Sequence, residues 1–199
     1  MVLPERGAGI TDLTVRELLS RRELPMFQVR SSAFEYSGRI PVTFTADGPG
    51  ISPPLNWLNV PRGTDCVALI VEDADSPTPL PLVHAIAVVE GGDGSLGVGA
   101  LASVAATGVS TGLNSFLHRA WLPPDPPPGH GEHRYVFQMF ALGPGKGLPS
   151  GRTALLEAVM HRGLAVGWLV GIYSREQPVK MDDMAESMDL PIEAPIFAT

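Results

Sequence analysis

Asp73 and Asp75, together with the histidines His84, His118, His130, His133 and His161, are the side chains here best suited to acid–base or hydrogen-bonding chemistry. Two carboxylates at i and i+2 of an extended segment project the same way, so both can reach one site. Imidazole titrates near neutrality and serves as acid, base or anion ligand. The aspartates follow an uninterrupted apolar run, 66–71; His84 heads a second, 84–89, and His133-Arg134-Tyr135 heads a third that ends at 141. Short apolar runs between turn signals read as buried strands. Asp73, Asp75, His84, His133 and Tyr135 would then gather at one end of a sheet. Histidines so placed are the residues most often recruited for catalysis or anion binding. The same set is also a general acid–base kit. His161 falls in the last turn of a predicted helix, where a cation suits the dipole. His130-x-x-His133 has a spacing used by metals, but no cysteine or third ligand accompanies it, so no metal or other cofactor is expected. No Gly-x-Ser-x-Gly elbow is present for a serine hydrolase.

The elements that must position these residues are mostly short strands. Segments 27–29 and 41–44 read as strands, followed by turn chemistry in Ala46-Asp47-Gly48-Pro49-Gly50 and Ser52-Pro53-Pro54. Residues 164–173 read as a final strand. Thr14-x-x-Glu17 fits a capping box opening a helix through Arg22, and 152–161 reads as one late helix stopped by Gly163. A further helix is predicted around 181–188. A long irregular stretch, rich in proline from Pro123 to Pro128, separates the second and third apolar runs. The organisation is an N-terminal extension (1–26), a mainly β domain (27–175) and an acidic C-terminal extension (176–199).

Composition narrows the function. The chain has 199 residues, 44% of them hydrophobic and only 18% charged, enough for one real core and too apolar for a disordered polyelectrolyte. Gly 22 and Pro 20 fit many turns. The formal charge of −7 sits mainly in the last two dozen residues, and no basic stripe exists for nucleic acid. The single Cys66 forms no internal disulfide. Met1-Val-Leu-Pro-Glu-Arg lacks a secretory h-region, and the uncharged stretch 94–117 is too weakly apolar to span a membrane. A cytoplasmic protein is expected. Leu13, Leu18, Leu190, Ile192, Ile196 and Phe197 in the extensions call for cover, by the domain itself or by a second copy in a homodimer.

From 27 to about 173 the sequence resembles the phosphatidylethanolamine-binding protein (PEBP) family, in particular its bacterial Raf-kinase-inhibitor-like branch. The resemblance is carried, in order, by Gly38-Arg39-Ile40-Pro41-Val42, Thr45-Ala46-Asp47-Gly48, Ile51-Ser52-Pro53-Pro54-Leu55-Asn56-Trp57 and Val60-Pro61-Arg62-Gly63-Thr64. It continues through Ala68-Leu69-Ile70-Val71-Glu72-Asp73-Ala74-Asp75-Ser76-Pro77, Gly112-Leu113-Asn114-Ser115-Phe116 and Pro126-Pro127-Pro128-Gly129-His130-Gly131-Glu132-His133-Arg134-Tyr135. It implies a PEBP-like fold of antiparallel sheets with one late α-helix and a small anion pocket. The family's pocket residues fall on Asp73, with Asp75 beside it, and on His84, His133 and Tyr135. Three departures stand out. Asp73-Ala74-Asp75 replaces Asp-Pro-Asp, Val83 replaces the aromatic before the first histidine, and Trp121-Leu122-Pro123-Pro124 replaces a Gly-Gly-Pro mouth. The last change removes amide donors and adds bulk, so Trp121 and Leu122 are expected to face a ligand with an apolar body.

Two functions follow as expectations. The first is a binding module for a small ligand with an anionic or polar head group, with a regulatory role implied by the family. The second is an enzyme that applies the same residues to acid–base chemistry on a small organic substrate, for example in natural-product biosynthesis.

Overall fold

The computed structural model describes residues 13–102 and 106–176. In chain order the elements are α1 (Thr14–Leu19), β1 (Gln28–Arg30), β2 (Gly38–Arg39), β3 (Leu55–Leu58), β4 (Cys66–Asp73), β5 (Leu82–Glu90), β6 (Gly94–Leu96), β7 (Val109–Thr111), β8 (His133–Leu142), α2 (Arg152–Arg162) and β9 (Gly163–Tyr173). One sheet has the order β2-β9-β8-β4-β5-β7 and a smaller one β1-β3-β6. All pairings are antiparallel except the two-residue β2–β9 pair. The mainly β fold read from the sequence is therefore observed, with a single late helix of three turns.

The apolar runs are continuous because the central strands are buried on both faces. On β4, Val67, Leu69 and Val71 join Leu55, Trp57 and Leu96 of the small sheet, while Cys66, Ala68 and Ile70 pack against Leu18, Leu155 and Val159 of the helices. β8 repeats the alternation, with Tyr135, Phe137 and Met139 on the first face and Val136 and Phe140 on the second. One chain face thus makes a β sandwich and the other a helical layer.

Leu13 and Leu18, which called for cover, are fully buried in that helical layer. The capping box does not form. Leu13 occupies the cap position, and Glu17 turns to Arg21 and Arg152. The first-turn N–H groups are met instead by side chains rising from the sheet. Thr14 N–H and Oγ1–H donate to Glu72 at 2.8 and 2.9 Å, and Val15 N–H donates to Gln138 Oε1 at 2.6 Å. Gln138 Nε2 and Arg152 Nε donate to the same carboxylate at 2.7 and 2.9 Å, so Glu72, with no exposed surface, accepts four hydrogen bonds. A buried charge is tolerated only with such full coordination.

The strand expected at 41–44 is a single 3-10 turn, Val42–Phe44. Pro41 begins it and Thr45 closes it through Oγ1–H to the Val42 carbonyl, turn chemistry that overrides the apolar alternation. Leu190, Ile192, Ile196, Phe197 and the helix predicted around 181–188 lie outside the described residues.

Candidate functional site

β4 alternates up to its last residue, so Glu72 faces the helices and Asp73 faces the sandwich. His84 reaches the same place by a different device. Val71 pairs with Ala85 but Glu72 pairs with Val83, which leaves His84 as an extra residue in β5. Strict alternation would send His84 towards the helices with Ile86; the bulge re-aims it to the sandwich side, a use bulges commonly have near sites. His133 begins β8, where Tyr135 lies directly opposite Asp73.

Asp73, His84 and His133 line a cavity of about 340 Å³ at this strand end. Its remaining polar wall is Ser76, Thr78 and Asp125; its apolar wall includes Leu82, Phe116, Leu122 and the prolines Pro77, Pro123, Pro126 and Pro127. A volume near the lower end of small-molecule pockets, with few polar groups on an apolar wall, suits a compact organic ligand.

Most polar atoms of the three side chains have a defined partner. Asp73 Oδ2 accepts from His133 Nδ1–H at 2.8 Å, and Asp73 Oδ1 accepts from the Asp75 amide at 2.9 Å. His133 Nε2 lies 2.9 Å from Nδ1 of His130. His84 Nδ1–H donates to the Leu122 carbonyl at 2.7 Å, which fixes the tautomer, since a carbonyl offers no proton. His84 Nε2 is buried and meets no partner. Burial pushes the pKa of His84 below its ordinary value, against smaller opposing effects of the Leu122 carbonyl and the Asp73 charge. The ring is accordingly neutral at pH 7, with an acceptor lone pair on Nε2.

The other expected residues sit differently. Tyr135 is wholly buried, edge-on to His84 with ring centroids 5.0 Å apart; its hydroxyl has no partner, and it is not part of the cavity wall. Burial first, then the Asp73 charge, pushes its pKa up, so it remains a phenol. Trp121 lies beneath the lip, stacked on Phe137 with its indole N–H donating to the Phe44 carbonyl at 3.2 Å, while Leu122 lines the wall. Asp75 is turned away. Its carboxylate takes the Arg134 backbone N–H and, bidentately, the Arg134 guanidinium, and only its amide touches Asp73.

His130 and His133 have a metal-pair spacing, and among the described residues no group of three or more ligating side chains forms. The structure gives His130 another place, exposed at the surface and capping His133. Gly131, at φ +91°, turns the chain so that His130 folds back; no ordinary side chain adopts that backbone readily. The lip has a separate anchor. Arg175 binds Asp47 at 2.5 and 2.7 Å, also pairs with Asp125 of the cavity wall, and Tyr173 donates to Asp47 at 2.6 Å. Those hydrogen bonds, Arg175 foremost, hold the Asp47 pKa at about 2.

The fold is a β sandwich with helices on one outer face and a small, mostly apolar cavity at its strand ends. The chain belongs to the phosphatidylethanolamine-binding protein family, whose sequence profile matches residues 30–174. It is 32% identical over 154 residues to a UPF0098 protein of Aquifex aeolicus, covering 76% of this chain and 90% of the relative. A UPF0098 protein of Chlamydia trachomatis is 35% identical over 159 residues, covering 75% and 99%. The crystal structure of a PEBP homologue from C. trachomatis, CT736, superposes with TM-score 0.64 at 32% identity, covering 76% and 99%. Escherichia coli YbcL shares the fold, with TM-score 0.68 at 24% identity over 75% and 99% of the two chains. Among the described residues no helix is long and apolar enough to cross a membrane. One relative, from Mycobacterium tuberculosis, carries the name lipoprotein LppC, so the relatives lend the cytoplasmic expectation no support.

Proposed function

We propose that the chain is a small-ligand-binding protein that encloses an apolar body and one polar head group in the cavity at Asp73, His84 and His133. One observation carries this reading: a buried imidazole nitrogen, His84 Nε2, without a partner beside a cavity of about 340 Å³. Leaving a buried polar atom unmatched costs about 1–3 kcal/mol, and a ligand group is the natural recipient. Loss of the amide donors of a glycine-rich mouth and the bulk of Leu122 support an apolar body. Titration of histidine-labelled protein with small organic fragments tests it by NMR. Binding should shift the His84 ring nitrogens and leave His161, on α2, unmoved; fragments that bind without touching His84 would remove the basis of the reading.

A second reading is supported by the chain Asp73–His133–His130, which links a cavity carboxylate to an exposed imidazole and offers a general acid or base a route for its proton. Under that reading a bound fragment is chemically altered on incubation, as mass spectrometry would register, and Asp73→Asn abolishes the change. A cytoplasmic setting and a regulatory role belong to this proposal as well.

A further inference from the structure

A second crevice, which shares no residue with the strand-end cavity, opens where the edges of the two sheets part. The free edge of β9 is bridged to Met26 at Val166 and joins β2 from Gly171, so among the described residues no strand pairs with it at positions 167–170. β1 is likewise the outer strand of the small sheet. Val29 of β1, Phe34 and Leu169 of β9, all nearly buried, floor a cavity of about 600 Å³, and Arg30, Glu35, Tyr36 and Asn56 stand exposed around it. The connecting chain is tied at both ends. Ser31 Oγ–H donates to the Pro54 carbonyl at 2.7 Å and accepts the Ala33 amide at 3.1 Å, while Ser37 N–H donates to the Val170 carbonyl at 2.8 Å. Gly38 N–H closes a turn on the Glu35 carbonyl at 2.8 Å, and Ser37, third in that turn, takes φ +58°, a place usually given to glycine. Such backbone strain persists only where the surroundings fix it, and here it holds Glu35 and Tyr36 at the rim.

The rim carries one charge of each sign, and the two do not meet. Arg30 and Glu35 line the same cavity, yet neither pairs with the other or with any other described residue. Arg30 lies directly opposite Asn56 across β1 and β3, so a guanidinium and a carboxamide N–H can grip one carboxylate together. Glu35 is the natural acceptor for an ammonium, and the neighbouring Tyr36 adds an aromatic face that favours a cation. The floor of Val29, Phe34 and Leu169 suits an apolar side chain. A ligand with a single charge would satisfy one end of this crevice and leave the other open.

We propose that this crevice is a ligand site separate from the strand-end cavity, and that it takes a free amino acid with an apolar side chain, carboxylate on Arg30 and Asn56, ammonium on Glu35. NMR titration of the unmodified protein at neutral pH with leucine, leucinamide, N-acetylleucine and maltose tests this. Leucine should shift the backbone amides of residues 30–37 and of Asn56 and leave the His84 ring unmoved. Both charged contacts are open to solvent, so leucinamide, without the carboxylate, and N-acetylleucine, without the ammonium, should each bind only about fivefold more weakly. Arg30→Gln should weaken leucine by a similar factor and leave leucinamide unchanged; Glu35→Gln should weaken leucine and leave N-acetylleucine unchanged. Both side chains are exposed, so the variants should keep the fold, as circular dichroism would verify. Leucine bound no tighter than its two singly charged analogues, maltose bound tighter than leucine, or no shift at 30–37 with any probe would each overturn the proposal, and none of these results bears on the strand-end cavity.

Discussion

Replacing Glu72 by Gln changes almost no volume but breaks the station on which α1 sits. Each carboxylate oxygen accepts two donors: Thr14 Oγ1 and Arg152 Nε at one, Thr14 N and Gln138 Nε2 at the other. An amide group puts N–H bonds in place of one oxygen, so two donors face donors if it is turned one way, and the Arg152 Nε–H alone if it is turned the other, where the Thr14 hydroxyl can rotate to accept. Gln138 cannot flip to help, because its Oε1 already holds the Val15 amide. Hydrogen bonds to a charged group are worth roughly 1.5–3 kcal/mol each. Relief of burying a charge offsets part of the loss, which leaves a net destabilisation of about 2–4 kcal/mol. For a chain of this length that corresponds to a fall of roughly 5–15 °C in Tm. Urea unfolding followed by tryptophan fluorescence gives the free energy, and hydrogen exchange of residues 14–19 shows whether α1 is the part released. A change under about 0.5 kcal/mol with α1 still protected would refute the idea that sheet side chains hold the helix start.

Other outcomes are expected from single groups. Because His84 has a lowered pKa when folded, the unfolded chain takes up its proton first; its contribution to stability is complete above pH 6.5 and is lost as pH falls below that through the folded value. Urea midpoints measured from pH 8 to 5 should therefore decline less in His84→Phe than in the unmodified protein; identical slopes would contradict this. Gly131→Ala forces a side chain to φ +91° and should cost about 1–2 kcal/mol while freeing His133 Nε2 from His130, visible as a shift of the His133 ring resonances. The buried Cys66 thiol, its pKa pushed up chiefly by burial, should resist Ellman's reagent in the native state and react faster in Glu72→Gln; rapid native labelling would argue that the helical layer opens readily.

The central strands were legible because burial on both faces writes itself as unbroken apolar runs, and β4, β5, β8 and β9 extend those runs by a few residues at most. The misreadings share one cause, since local pattern is blind to partners distant in sequence. Thr14 and Glu17 have capping-box spacing, yet Glu72, 58 residues from Thr14, takes the cap. Asp73 and Asp75 obey the i, i+2 rule only while the strand lasts. β4 ends at Asp73, the Asp75 amide turns back onto it, and Arg134 claims the second carboxylate. His84 faces the cavity through a bulge that its own segment does not announce. His130 had one visible signal, the glycine between it and His133, but glycine marks a turn without saying what the turn brings together. Trp121 and Leu122 are chain neighbours that part company, one into the core and one onto the wall.

Arg175 stands just past the end of β9 and one residue beyond the family match, which stops at 174. A chain trimmed at that boundary would keep every strand and every wall residue. It would nevertheless lose the clasp joining Asp47 to Asp125, along with the Arg175 carbonyl that accepts the Gly129 amide at 3.1 Å. The proline-rich rim from Asp125 to Gly129 would then hang from its own ends alone. The rim of the entrance is thus tied down by the first step of the C-terminal continuation, and a chain ending at 174 would hold that rim more loosely.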